Sequence, residues 1–153
     1  MPSNNLHLSG KHIIEHLKVG GGVAMNELDL LIKEELIPMR KRVVDALVQK
    51  HPHILGMVDK YLAGRNNKVG MQVTENGAKV GEYTFHLNGI HISDVEFGVL
   101  SSELHHPIGI IKLYAIIERS ALEKMLNDEQ NIIDEPFAAI RKYMPDITIK
   151  FQR

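Results

Sequence analysis

The sequence predicts an α+β fold: N-terminal helices packed on a mainly antiparallel sheet of about five strands, with two helices before the last strand. Three observations carry this. Up to Gly64, apolar residues recur every three or four positions, the period of an amphipathic helix. From Lys68 they alternate in short runs broken by Asn76-Gly77 and Asn88-Gly89, the period and turn chemistry of hairpins. A final helical stretch then leads into Ile147-Thr148-Ile149-Lys150-Phe151, a closing strand. This layout leaves one sheet face for helices to cover, with room for a ligand between the layers. Residues 1–153 read as a single domain, helical over 1–64 and a sheet with C-terminal helices and a final strand over 65–153.

Each element has its own signal. Ser9 is placed to cap a short helix carrying Ile13, Ile14 and Leu17, which Gly20-Gly21-Gly22 ends. Asn26 is the next cap, and Leu28, Leu31, Ile32 and Leu36 form one stripe behind it. Pro38 kinks or restarts this helix, and Val43, Val44, Leu47 and Val48 carry the stripe to His51-Pro52-His53. A third helix holds Ile54, Met57, Val58, Tyr61 and Leu62, with Gly64 just past its end. Glu34, Glu35, Arg40, Lys41 and Arg42 read as a solvated face.

Val69, Met71 and Val73 share one strand face, as do Tyr83, Phe85 and Leu87; a third strand runs from Ile90 to Phe97. The run from Ile110 to Ile117 is apolar on both sides apart from Lys112, which reads as a central strand covered on both faces. Ser120 caps the next helix, with Glu123 completing a capping box, and Glu135 to Tyr143 forms another that Pro145 stops.

Composition narrows the function classes. A net charge of −1 supplies no general field for nucleic acid or an anionic membrane, and the chain has no Trp for base stacking. Zero cysteines exclude disulfides and thiolate sites and fit a cytoplasmic protein. No apolar run is long enough for a transmembrane segment.

Few motifs carry chemistry. His12-Ile13-Ile14-Glu15-His16 has the spacing of an inverted zinc-protease motif: on a helix, His12 and His16 lie one turn apart, with Glu15 beside them as general base. A third ligand must come from afar, with Glu96, Glu103 and Glu118 as candidates, so a metal-dependent hydrolase is the least favoured reading. Nine histidines invite a metal search, and His86 and His91 approach each other if their strands pair across Asn88-Gly89. Gly20-Gly21-Gly22 lacks the lysine and preceding strand of a phosphate loop. Ser101, Ser102 and Ser120 lack a nucleophile-elbow setting, and no catalytic residue or cofactor is assigned. Seven methionines suit either ordinary core or a pliable pocket lining.

From about Arg40 onward, helices lead into Val69-Gly70-Met71-Gln72-Val73 and then Gly81-Glu82-Tyr83-Thr84-Phe85-His86-Leu87-Asn88-Gly89. Leu113 to Glu118, the helix from Ser120, Phe137-Ala138-Ala139-Ile140 and the final strand follow. This order resembles the sterol-carrier-protein-like lipid-binding domains over roughly three quarters of the chain. Pro145-Asp146 departs from it, standing where that family often has a Gly-rich approach to the last strand. The resemblance implies a non-catalytic carrier of a fatty acid, sterol-like molecule or other lipid, held between sheet and helices. It implies no shared catalytic residues.

Strand alternation and helix stripes point Phe85, Leu87, Ile116, Met125, Phe137 and Ile140 toward the layer interface as the pocket lining. The competing class is an interaction protein, a homo-oligomer built on the helices from Asn26 to Gly64 or on the edge of the last strand.

Overall fold

The first described helix begins at a side-chain cap. The computed structural model describes residues 24–153. Asn26 Oδ1 accepts the Asp29 N–H at 2.8 Å, and Asp29 Oδ2 accepts the Asn26 N–H at 3.1 Å, closing a capping box. Helix α1 (Glu27–Leu31) runs through a π-helical turn (Ile32–Leu36) into α2 (Ile37–Lys50). In that turn the Ile37 N–H donates to the carbonyl of Ile32, five residues back. Pro38 has no N–H, and its ring presses on the carbonyl four residues back in a regular α-helix, so the wider turn absorbs the expected kink. Helix α3 (Pro52–Leu62) follows, and Gly64 leaves it with a φ of 74°.

The strands are β1 (Lys68–Glu75), β2 (Ala78–Asn88), β3 (His91–Phe97), β6 (Leu113–Glu118) and β7 (Ile147–Phe151), in the order β3-β2-β1-β6-β7. All neighbours are antiparallel except β1 and β6, which are parallel. A separate hairpin joins β4 (Leu104–His106) and β5 (Gly109–Ile111). Helices α4 (Arg119–Leu126), α5 (Glu129–Asp134) and α6 (Pro136–Tyr143) precede β7, with a 3₁₀ turn at Met144–Asp146. The α+β layout and five-stranded sheet read from the sequence are therefore present.

Three local expectations change. The apolar run from Ile110 to Ile117 is split. Gly70 pairs with Tyr114, so the place beside Lys68 belongs by register to Lys112, but Glu103 bridges to Lys68 and occupies it. Residues before Leu113 therefore lose their place beside β1. Ser120 is not the cap of α4, because β6 feeds directly into the helix and Glu118 takes the N-cap position. Its carboxylate accepts the Thr74 hydroxyl at 2.5 Å, which holds it below the usual carboxylate range, aided by the Asn76 and Gly77 amides. Finally, α5 lies in a stretch that carries no helix prediction.

Register assigns the faces. Val73, Tyr83, Phe85 and Ile117 meet Leu28, Ile32, Ala121 and Leu122 in the buried core. The Leu28–Ile32 stripe is thus consumed by the core and is not a partner surface. The opposite face is polar, and residues 98–106 cross it. Thr84 donates to the Val99 carbonyl at 2.7 Å and accepts the Ser101 N–H at 2.9 Å. Ser102 accepts the Gly70 N–H at 3.0 Å and donates to the Leu113 carbonyl. These buried hydroxyls have structural partners, as buried polar groups require.

Two attachments position the outer helices. Asp59 Oδ1 on α3 accepts the Ile90 N–H at 2.9 Å beside the β2–β3 turn, where Gly89 has a φ of 61°. A Cβ at Gly89 meets that oxygen at 2.0 Å. Asp128 accepts the Tyr143 hydroxyl, the Asn131 amide at 2.6 Å and the Lys142 ammonium at 3.0 Å, tying α6 to the turn after α4.

Gly89→Ala combines a left-handed backbone with an overlap and is expected to cost roughly 1–3 kcal/mol in urea unfolding. The Tyr143, Asn131 and Lys142 donors depress the Asp128 pKa to about 2 from 3.8. A depressed folded value means that its contribution is complete above the ordinary value and lost as pH falls toward about 2. Asp128→Asn should lower stability at neutral pH and flatten that acidic segment of the stability profile.

Candidate functional site

The helices and the sheet do not close on each other everywhere. Where α2 passes over β1 and β2, a cavity of about 390 Å³ remains. Its floor is Val69, Phe85, Leu87 and Ile92, and its roof includes Met39, Arg40 and Val43 of α2. A second cavity of about 260 Å³ adjoins it under α6, between Leu47, Ile140, Tyr143 and Ile147. Val43, Met125 and Ile132 line both, so the two share a wall. The larger lies within the range of small-molecule pockets.

Local sequence explains these positions. Val69 and Phe85 are cross-strand partners on the helix side of the sheet. Leu87 lies on the same side as Phe85 by alternation along β2, and a bulge that leaves Ser93 of β3 unpaired keeps Ile92 opposite it. On α2, Met39 and Val43 are four residues apart and face one direction. The roof is tied down at its far side: Arg42 meets Glu129 in a two-pronged ion pair at 2.7 and 2.8 Å, and Lys50 donates to the Ile133 carbonyl at 2.7 Å. These contacts hold α5, and with it Ile132, against α2.

One charged residue lines the larger cavity. Arg40 reads as part of a solvated charge run, but its neighbours Glu34, Glu35, Lys41 and Arg42 are exposed while Arg40 is half-buried. Burial lowers its pKa, with no carboxylate acting to raise it. Arg40 also lines a neighbouring recess with Lys41, His91 and Ile92, so its side chain stands between two chambers.

The expected lining divides. Phe85, Leu87 and Met125 line the larger cavity; Met125 and Ile140 line the smaller. Phe137 lines neither and is 68% exposed on α6, one turn before Ile140. Ile116 pairs with Gln72 and Thr148, which puts it on the polar face, while Ala115 and Ile117 take the helix side. A strand apolar on both sides carries no alternation to tell its faces apart, which is why Ile116 is misplaced by pattern alone. Val43, Leu47 and Val69 belong to visible stripes. Ile132 lies on the helix absent from the sequence reading, and Arg40 was hidden among charges.

The histidine expectations also resolve. His12, Glu15 and His16 lie outside the described residues. Among the described residues, no group of three or more His, Asp or Glu side chains is arranged to hold a metal. His86 faces Asp94 across the strands and donates to Glu96 at 2.8 Å, while His91 pairs with Asn88. The register sets His91 opposite Asn88, two residues along the strand from His86, so the two histidines are not cross-strand partners.

No protein-family model matches the chain, and no curated protein matches it. Among the described residues, no helix is long and apolar enough to cross a membrane. Among solved structures, the chain is similar to sterol carrier protein 2 from Yarrowia lipolytica in its apo form: 11% identical over 65% of this chain and 84% of that one, TM-score 0.33. It is likewise similar to sterol carrier protein-2 like-3 from Aedes aegypti, 18% identical over 74% of this chain and 86% of that one, TM-score 0.34.

Proposed function

We propose that this protein binds a single-chain amphipathic lipid with an anionic head, such as a fatty acid, and carries it without chemical change in the cytoplasm. The observation that supports this is the pair of apolar cavities sharing a wall, with a partly desolvated arginine at one mouth. Phe85, Leu87, Met125 and Ile140 contact the hydrocarbon, and Phe137 forms the outer rim on α6. Apolar burial drives binding at roughly 25 cal/mol per Å², before ordering costs. Arg40 supplies a charge-assisted hydrogen bond to the carboxylate, and its half-buried guanidinium gains more from an anion than an exposed one does.

Calorimetric titration with palmitate and with hexadecanol tests both halves of this reading. Arg40→Gln is expected to weaken palmitate binding by about 10- to 100-fold, the loss of one charge-assisted hydrogen bond, while hexadecanol binding stays within about twofold. Val43→Trp, which fills the shared wall, should abolish both. A wild-type protein, stripped of co-purifying lipid, that binds neither ligand overturns the proposal.

A further inference from the structure

Strand β7 ends the sheet, and among the described residues nothing pairs with its outer edge. The Gln152 N–H donates to the Lys112 carbonyl at 2.7 Å, and Lys150 and Thr148 face Tyr114 and Ile116 in the same register. Main-chain groups alternate direction along an antiparallel strand, so those of Ile147, Ile149 and Phe151 point away from the sheet. The side chains of these three residues lie on the helix-covered side, opposite Ile117, Ala115 and Leu113. Ile149 is nevertheless 49% exposed and Phe151 72%. Ile140 and Met144, also exposed, line a common cavity with Ile147, so the apolar surface continues from the strand edge onto α6. An open edge strand flanked by exposed apolar side chains is one that folded proteins ordinarily cover or blunt.

We propose that this edge is covered by a second copy of the chain, through antiparallel β7–β7 pairing about a two-fold axis at Ile149. The pattern of the edge selects this occupant and this register. With the axis at Ile149, all three outward-pointing residues pair, Ile149 with itself and Ile147 with Phe151 of the second copy. That closes about six main-chain hydrogen bonds, two per hydrogen-bonded pair. The same register sets Lys150 opposite Thr148 and Asp146 diagonal to Lys150, an attractive arrangement of charge. An axis at Lys150 opposes two ammonium groups, and an axis at Thr148 pairs only two of the three outward residues. The two sheets become one, and the apolar side chains of both edges meet on the helix side. Because Ile140, Met144 and Ile147 line the smaller cavity, the second copy closes that cavity's outer flank.

Analytical ultracentrifugation of the untagged full chain at tens of micromolar is expected to give twice the 17.3 kDa mass of one chain. Ile149→Lys sets like charges against each other at the axis and should yield a monomer with an unchanged circular dichroism spectrum. The chain has no cysteine, so Ile149→Cys introduces a single thiol. Cα atoms about 5.5 Å apart in a hydrogen-bonded pair lie within disulfide range, so mild oxidation should link the copies at 149. Ser120→Cys, exposed on α4, serves as the control that does not link. A monomeric wild type overturns the proposal. A dimer that survives Ile149→Lys, with no faster linking at 149 than at 120, also overturns it by placing the interface elsewhere.

Discussion

The rest of the architecture hangs on one partly buried hydrogen bond, from the Tyr83 hydroxyl to Asp29 Oδ1 at 2.7 Å. Tyr83 is fully buried, and its ring meets Phe97 edge-on with centroids 5.9 Å apart. Burial and the Asp29 carboxylate both push its phenol pKa far upward, so it remains a donor across the ordinary pH range. Asp29 also closes the capping box of α1, so one carboxylate both starts the helix and pins it to the sheet. Gly81 makes the approach possible: a Cβ there meets Leu28 and the Tyr83 hydroxyl, each at 2.8 Å. From this anchor the helix rises about 1.5 Å per residue, bringing Val43 about 21 Å along the helix axis. The start of the helix that roofs the cavity is therefore fixed far from the cavity itself.

The cavities follow from how unevenly the helical layer fills its side of the sheet. Near the anchor, Leu28, Ile32, Ala121 and Leu122 meet Val73, Tyr83 and Ile117 in the buried core. Beyond it, α2 and the short α5 and α6 cover Val69, Phe85 and Ile147 with side chains that do not interlock. Folded interiors are ordinarily packed as densely as organic crystals, and here the helical layer leaves apolar side chains uncovered instead. An apolar occupant would remove that surface from water. The ion pair and the carbonyl contact from α2 to α5 keep this roof in place without plugging the space beneath it. Being exposed, they supply geometry more than energy.

Much of this was legible in the residues. The change of period between Gly64 and Lys68, the Asn-Gly turns and the final alternating run depend on neighbours in sequence, and each produced its element. Asn26 capped its helix as read, and Asn76-Gly77 turned with φ values of 51° and 82°, as a tight hairpin demands. Phe85, Leu87 and Met125 reached the cavity because strand alternation and a helix stripe determine which way a side chain points. Ile116 and Arg40 did not follow local rules. An unbroken apolar strand does not label its faces, and one arginine in a charged run does not reveal that the helix turns it inward.

By itself, then, the sequence determined the α+β class, the extent of most elements and the sides to which alternating strands present their residues. These are consequences of period, capping and turn stereochemistry, which act within a few residues. Only the tertiary structure decided that Glu103 takes the place of Lys112 beside β1, that Ser102 is a buried latch, and that α2 stands off from β1 and β2 far enough to leave two chambers. Those outcomes depend on which distant segments compete for a given place and how closely their surfaces fit. Contacts such as Gly70 with Ser102 and Asp29 with Tyr83 join residues 32 and 54 positions apart, a separation at which no local pattern acts.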